Sequence, residues 1–257
     1  MYAQAAVKPN PLLRNGAYGI VMRGVQKCTR GCSSLRGRNR LPLCCIKLDT
    51  ATDLACGTGR LLALMEGFGF DVIGVDSSAE MLCVAQNNLL TAKTRPLLLC
   101  QKMQELDLYD TVDAVVCSLD SINHLVAPRD VIKTFERVAL FLNHGGIFIF
   151  DVNTLHKHKN ILADNCFIYD LEDLFCVWQN SLDEKTDTVN ITLDFFEKEG
   201  RLYNRSTQTI NERAYSFEDL TLWVEQSGLT LLEIYDELKL TPPGQDCQRA
   251  VFVVSKG

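Results

Sequence analysis

Beyond residue 48, short apolar runs alternate with amphipathic stretches. An apolar segment ends at Asp53, and a helix begins near Arg60 with Leu61, Leu62, Leu64 and Met65 on its apolar face and Gly67-Phe68-Gly69 at its end. A strand follows at Asp71 to Asp76. Ser77 or Ser78 caps the next helix, where Met81, Leu82, Val84, Ala85 and Leu89 recur at helical spacing as far as Lys93. Pro96 introduces a third strand, Leu97 to Gln101. Val112 to Leu119 is a fourth, almost continuously apolar, as suits a strand covered on both faces. A helix from Pro128 to about Asn143 and the pair Gly145-Gly146 lead into a fifth strand, Ile147 to Val152. With Leu229 to Leu238 and Arg249 to Val254 closing the chain, the pattern predicts an α/β fold with a doubly wound, mostly parallel sheet of seven strands.

From about residue 165 the rhythm changes. Leu174 to Trp178, Val189 to Phe196 and Leu202 to Ile210 are separated by polar turns and by Glu199-Gly200, which predicts antiparallel strands. Ser216-Phe217-Glu218-Asp219 then opens a capped helix that Gly228 ends. An antiparallel β insertion at residues 165–212 would lie over the carboxyl ends of the main sheet, where such sheets bind ligands, and would act as a lid.

The chemistry concentrates between the first and second strands. In Asp53-Leu54-Ala55-Cys56-Gly57-Thr58-Gly59, small residues let the backbone turn tightly against a ligand, and Asp76 ends the following strand seventeen residues after Gly59. A carboxylate at that place can accept both hydroxyls of a ribose. The dinucleotide fingerprint requires a third small residue three positions after the second glycine, and Leu62 stands there. An acid at the loop entrance disfavours a pyrophosphate and favours a cationic ammonium or sulfonium. The stretch resembles the glycine-rich loop of class I S-adenosylmethionine-dependent methyltransferases. Val112 to His124, Gly145 to Asn153, Ala214 to Glu218 and Glu225 to Leu229 are similar to later segments of that family, so the likeness covers about residues 50–256.

The resemblance implies a Rossmann-like methyltransferase fold, S-adenosyl-L-methionine as cofactor and a small-molecule methyl acceptor. It places Asp53 on the ammonium of the methionine moiety, Ala55, Cys56, Gly57 and Gly59 along the ligand, and Asp76 on the ribose hydroxyls. Ser77 and Met81 would pack near adenosine, and Ser118, Leu119 and Asp120 would flank the methionine end. Relatives carry an acid where Lys102 stands, to accept the adenine amino group; lysine offers only donors, so backbone contacts of Lys102 and Met103 would have to hold the ring. For acceptors that must lose a proton, His124 is the expected general base or acceptor-orienting group, with Asp120, Asn123 and Tyr215 behind it. A fold retained only for binding, and methylation of RNA, are the competing readings.

Charge divides the chain unevenly. Of its 26 Lys and Arg, nine lie in residues 1–48, which contain no acid, while all 32 acids face the remaining 17 bases in residues 49–257. The division is therefore an atypical basic leader at 1–48 and a methyltransferase domain at 49–257, whose acidity disfavours nucleic acid as a partner. The leader admits three readings: an organelle transit peptide, a basic arm for RNA phosphates, or a stretch foreign to the family produced by an altered reading frame. The third fits best, because Lys8 to Leu43 lacks sustained periodicity. No apolar run approaches the roughly 18 residues of a bilayer span, and no signal peptide opens the chain, so a cytoplasmic protein is expected. Cys56, Cys83, Cys100 and Cys117 fall within apolar runs or the ligand loop, and most of the eleven cysteines are expected as buried free thiols. His144, His156 and His158 lack the spacing of a metal site, and the irregular Cys28, Cys32, Cys44 and Cys45 do not suggest zinc.

Overall fold

A computed structural model describes residues 48–90, 95–237, 239 and 241–257. The basic leader, its four cysteines and the expected helix end at Lys93 lie outside the described residues, except for Leu48, which is buried.

The chain runs β1 (Thr50–Leu54), α1 (Arg60–Gly67), β2 (Asp71–Asp76), α2 (Ala79–Asn88), β3 (Leu97–Cys100), β4 (Val112–Cys117), α3 (Pro128–Phe141) and β5 (Leu142–Asn153). A four-stranded excursion follows: β6 (Cys166–Asp170), β7 (Leu174–Asp183), β8 (Thr188–Glu199) and β9 (Leu202–Arg213). The chain then returns through α4 (Phe217–Gln226), β10 (Leu229–Asp236) and β11 (Arg249–Lys256). The main sheet has the order β10-β11-β5-β4-β1-β2-β3, with β1 to β5 parallel and β11 alone reversed, antiparallel to both of its neighbours, β5 and β10. Strand order reverses between β1 and β4, and the open crevice of a doubly wound sheet lies at such a switch point.

Both faces of the sheet are buried, which explains the continuous apolar runs. Val131, Phe135 and Val138 of α3, at helical spacing, and Leu220 and Val224 of α4 cover one face, where Phe150 stacks on Phe252 at 4.8 Å. Leu61, Leu62 and Met65 of α1 cover the other, against Val72, Val116 and Ile149. The antiparallel sheet has its own cluster, including Cys176, Ile191, Leu193 and Phe195. β8 and β9 pair along their full length across a tight turn at Glu199 and Leu202, where Gly200 takes the φ of +64° that the turn demands. β9 thereby runs back to the main sheet and packs on a short 3-10 turn, Ser121–His124, at the end of β4.

Several boundaries differ from the pattern. β4 stops at Cys117, not Leu119, because Leu119 and Asp120 turn out of the ladder with φ of +59° and +54°. α3 ends at Phe141 and β5 begins at once, with Gly145-Gly146 inside the strand as an irregularity of its pairing to β4. Gly146 sits where a β-carbon would meet the Asn143 carbonyl oxygen at 2.8 Å and that of Asp113 at 3.0 Å. Neither backbone oxygen can move alone. Gly146→Ala is therefore expected to cost about 1–3 kcal/mol in urea unfolding; an unchanged midpoint would show that the strand yields there. β6 and a π-helix at Lys157–Leu162 had no counterpart in the hydrophobic pattern. Four of the seven described cysteines are buried free thiols, Cys56, Cys117, Cys176 and Cys247, while Cys83, Cys100 and Cys166 are exposed, so burial holds for most of them but not for Cys83 and Cys100. Both lie at the solvent side of α2 and the edge strand β3, where one face remains open.

Candidate active site

The loop after β1 folds against β2. Cys56 N–H donates to the Val75 carbonyl at 2.9 Å, and Gly57 N–H donates to Asp76 Oδ2 at 2.8 Å. Asp76 Oδ1 accepts the Ser78 N–H at 2.9 Å, so each of its oxygens keeps a lone pair for a further donor. Ala55, Gly57 and Gly59 all have positive φ, and Gly59 lies so near α2 that a β-carbon would meet Ala85 Cβ at 3.1 Å. Ser78, not Ser77, caps α2, its hydroxyl accepting the Met81 N–H at 3.2 Å.

Asp53 is 1% exposed and, among the described residues, neither carboxylate oxygen has a hydrogen-bond partner. Burial, and then the neighbouring charge of Asp76, push its pKa up to about 7 against a smaller opposing pull from the Leu62 N–H in the first turn of α1. An orphaned buried carboxylate lacks a cation. A ligand with an ammonium at one end and hydroxyl donors at the other fits Asp53 and Asp76 together. The Cys56 thiol beside them is pushed far above its usual range by burial and the two acids, and stays a neutral thiol.

Across the switch point the chain leaves β4 through Ser118, Leu119 and Asp120. Two successive non-glycine residues in the left-handed region store strain of order 1–3 kcal/mol each. Asp151 on β5 holds them there: Oδ2 accepts the Leu119 N–H at 3.0 Å and Oδ1 the Asp120 N–H at 2.5 Å. Arg249, first residue of β11, spans three acids: Asp120 Oδ1 at 2.9 Å, Asp151 Oδ1 at 3.5 Å and Glu237 Oε1 at 3.4 Å. Burial would raise the Asp120 carboxyl, but the charges of Arg249 and Lys157, that of His124 once it is protonated at low pH, and a hydrogen bond from Asn153 hold it below the usual carboxylate range.

Beside this corner stands Glu212, delivered by the end of β9 and buried. Its Oε2 accepts from Asn153 Nδ2 at 3.2 Å. Its two oxygens lie 3.9 Å from His124 Nε2 and 3.9 Å from His158 Nε2. Burial and then Asp120 push Glu212 up to about 8, and burial pushes both histidines down, His158 to about 4. Asn123 anchors the 3-10 turn through Asn153 and the Arg213 carbonyl, and the Tyr215 hydroxyl donates to the Leu125 carbonyl.

The structure thus brings Asp53, Ala55, Cys56, Gly57, Gly59 and Asp76 to one side of the switch point and Ser118, Leu119, Asp120 and His124 to the other. Met81 is buried under the loop side, Ser77 is exposed, and Met103 packs against the core. Lys102 follows β3 with its side chain 61% exposed and 3.8 Å from Glu105. The three histidines weighed for metal part company: His144 meets the Gly257 carbonyl, His156 meets Asn160, and His158 faces Glu212. Glu212, Asn153, Lys157, Asp151 and Arg249 were not singled out by their sequence. The one local trace is a charged Asp151 and Arg249 embedded in otherwise apolar strands.

The family model described as a methyltransferase domain matches residues 51–146. The putative methyltransferase YqeM of Bacillus subtilis is 32% identical over 206 residues, 79% of this chain and 83% of the relative. A glycine/sarcosine N-methyltransferase of Aphanothece halophytica is 37% identical over 119 residues, 45% of this chain and 43% of the relative. Among solved structures, an S-adenosylmethionine-dependent methyltransferase from Clostridium acetobutylicum is 29% identical, with a TM-score of 0.83 over 100% of this chain and 99% of that one.

Proposed function

We propose a small-molecule methyl acceptor for this chain, which belongs to the class I S-adenosylmethionine-dependent methyltransferase family. It is an enzyme, and its methyl donor is S-adenosyl-L-methionine. The observation that carries the acceptor reading is enclosure: Asp120, Asn123, Asn153, His158 and Glu212 are all buried where β9 closes over the carboxyl ends of β4 and β5. A polynucleotide requires an open, basic groove. Here the polar groups are sunk and the domain is acidic. A relative whose name specifies glycine and sarcosine agrees with an acceptor of small size.

In this reading Asp53 pairs with the ammonium of the cofactor, and the Ala55, Cys56, Gly57 and Gly59 backbone lines its methionine end together with Ser118 and Leu119. Asp76 accepts the ribose hydroxyls through its free lone pairs, with Met81 and Ser77 flanking adenosine and Lys102 and Met103 at the adenine. Bound there, the cofactor supplies an electrophilic methyl group on a sulfonium. Transfer is then mainly a matter of alignment. The strained Leu119-Asp120 corner, clamped by Asp151 and Arg249, fixes the approach line, and neutral His124 accepts the proton of an acceptor that must lose one. Residues 165–212 serve as the lid over this cleft within a domain spanning 49–257. Among the described residues no helix is long and apolar enough to cross a membrane.

The test supplies methyl-labelled S-adenosylmethionine with separated cell fractions. Label is expected in the small-molecule fraction; label in RNA or protein instead would overturn the reading. A second expected result concerns the adenine end. Lys102→Asp should tighten binding of S-adenosylhomocysteine by about 1–2 kcal/mol, the worth of a regained hydrogen bond. Calorimetric titration measures it, and an unchanged or weaker constant would remove residue 102 from the adenine site.

A further inference from the structure

We propose that Glu212, with His124 and His158 on either side of it, forms a site for a protonated amine, so that the atom methylated is an amine nitrogen. This rests on reading the enclosed cleft as the acceptor site.

The argument begins with unmet bonding capacity. Glu212 offers about four acceptor positions, and one hydrogen bond, from Asn153, is in place. His158 is fully buried, and among the described residues neither ring nitrogen has a hydrogen bond of good geometry, although the Asp187 backbone acts on the ring and pulls its pKa up against burial. A buried polar group in that state is costly, and a polar ligand relieves the cost. Charge then decides the ligand's sign. Among the described residues four acids converge here, Asp120, Asp151, Glu212 and Glu237, against the cations Arg249 and Lys157. Arg249 is committed to the other three acids, and Lys157 Nζ donates to Asn153 Oδ1 at 2.8 Å. Both histidines are held neutral by burial, so they accept protons and offer no fixed positive charge to an anion. Among the described residues no Lys or Arg forms an ion pair with Glu212, although Lys157 and Arg249 act on it from farther away, and an ammonium would supply the close cation.

The same groups move the proton that methylation of an ammonium requires. The bound R–NH3+ gives one proton to Glu212 or His124, which frees a nitrogen lone pair. That pair forms the new N–C bond while the electrons of the old S–C bond stay on sulfur. The product is R–NH2–CH3+, and the proton removed departs to solvent. The three side chains are graded for this route: His124 is 26% exposed, Glu212 5% and His158 0%. The groups facing Glu212 are Asp120 and His124 from the segment after β4, Asn153 of β5, Lys157 and His158 of the π-helix and Arg249 of β11. With its carboxyl pushed up to about 8, Glu212 is half protonated near that pH and becomes the required carboxylate above it.

The experiment uses the full chain, methyl-labelled S-adenosylmethionine and a small-molecule extract, with half of the extract acylated to block amines. Label should enter amines, and acylation should abolish transfer. Glu212→Gln should lower transfer by at least about tenfold, as loss of a buried charge partner does, and should erase the rise in rate through about pH 8. Its affinity for S-adenosylhomocysteine, measured by calorimetry, should stay at the wild-type value, which reports a folded site. Label that survives acylation, or a Glu212→Gln enzyme with wild-type rate and pH profile, overturns the amine assignment while leaving the small-molecule reading intact. Label confined to RNA or protein overturns both.

Discussion

Replacing Asp53 by Asn is expected to stabilise the ligand-free protein at pH 8 and to remove most of its affinity for S-adenosylmethionine. Burial and Asp76 raise this carboxyl from 3.8 to about 7 in the folded protein. Between about pH 4 and pH 7 the folded state therefore binds a proton that the unfolded state has released, and the wild-type protein loses stability as pH rises through that window. Three units correspond to roughly 4 kcal/mol as a ceiling. Asparagine keeps the shape and never ionises, so the variant should gain about 2–4 kcal/mol in chemical unfolding at pH 8 and almost nothing at pH 4. Cofactor binding moves the other way. The ammonium needs the charged form, so wild-type affinity should fall about tenfold per unit below pH 7, with proton release on binding. The variant should lose about 2–5 kcal/mol of affinity at pH 8, as when one member of a buried charge pair is removed. Equal stability of the two proteins at pH 8, or cofactor affinity retained, would show that Asp53 is not the unpaired acid of the site.

The second large effect is expected at Arg249, and it has the opposite sign. Arg249→Met leaves Asp120, Asp151 and Glu237 buried around a missing cation and should destabilise the fold by about 3–5 kcal/mol. Arg249→Lys should recover little, because one ammonium cannot span three carboxylates that meet Nη2, Nη1 and Nε separately. The sign with pH follows from Asp120, whose carboxyl is held below its ordinary value of 3.8. Its contribution is present above that pH and is lost as pH falls through the lower folded value. The deficit of the variant should thus be largest near neutrality and shrink below about pH 4. Unfolding curves at pH 7 and pH 3.5 check it; a deficit equal at both would mean that packing of the guanidinium, not its charge, matters. Because the same cation steadies the Leu119-Asp120 corner, kcat should fall even in the fraction that stays folded.

These two residues mark the boundary of what could be read from the chain. Asp53 announces itself, since an acid, small residues and an amphipathic helix follow one another within about a dozen positions, and Asp76 closes the next strand. Arg249 does not, because its partners lie 12, 98 and 129 positions away along the chain. The early end of β4 was equally hidden: Ser118 and Leu119 continue an apolar run, and Asp151, some thirty residues later, captures the N–H groups that turn the chain aside. Glu212 sits in a strand whose neighbours are mostly exposed, so its burial reflects where β9 ends and not its local pattern.

What the sequence determined by itself was local and periodic: the alternation of strands and helices, the doubly wound sheet, the antiparallel insertion and the loop from Asp53 to Gly59 with Asp76. Those features arise from backbone preference and one-sided or two-sided burial, which adjacent residues encode. What only the tertiary structure decided was which charges meet. Among the described residues Asp53 is left without a partner, Asp120, Asp151 and Glu237 share one guanidinium, and Glu212 lies between two neutral histidines. Coulomb and desolvation energies depend on distance and burial in space, and residues far apart in the chain acquire both only when the sheet closes.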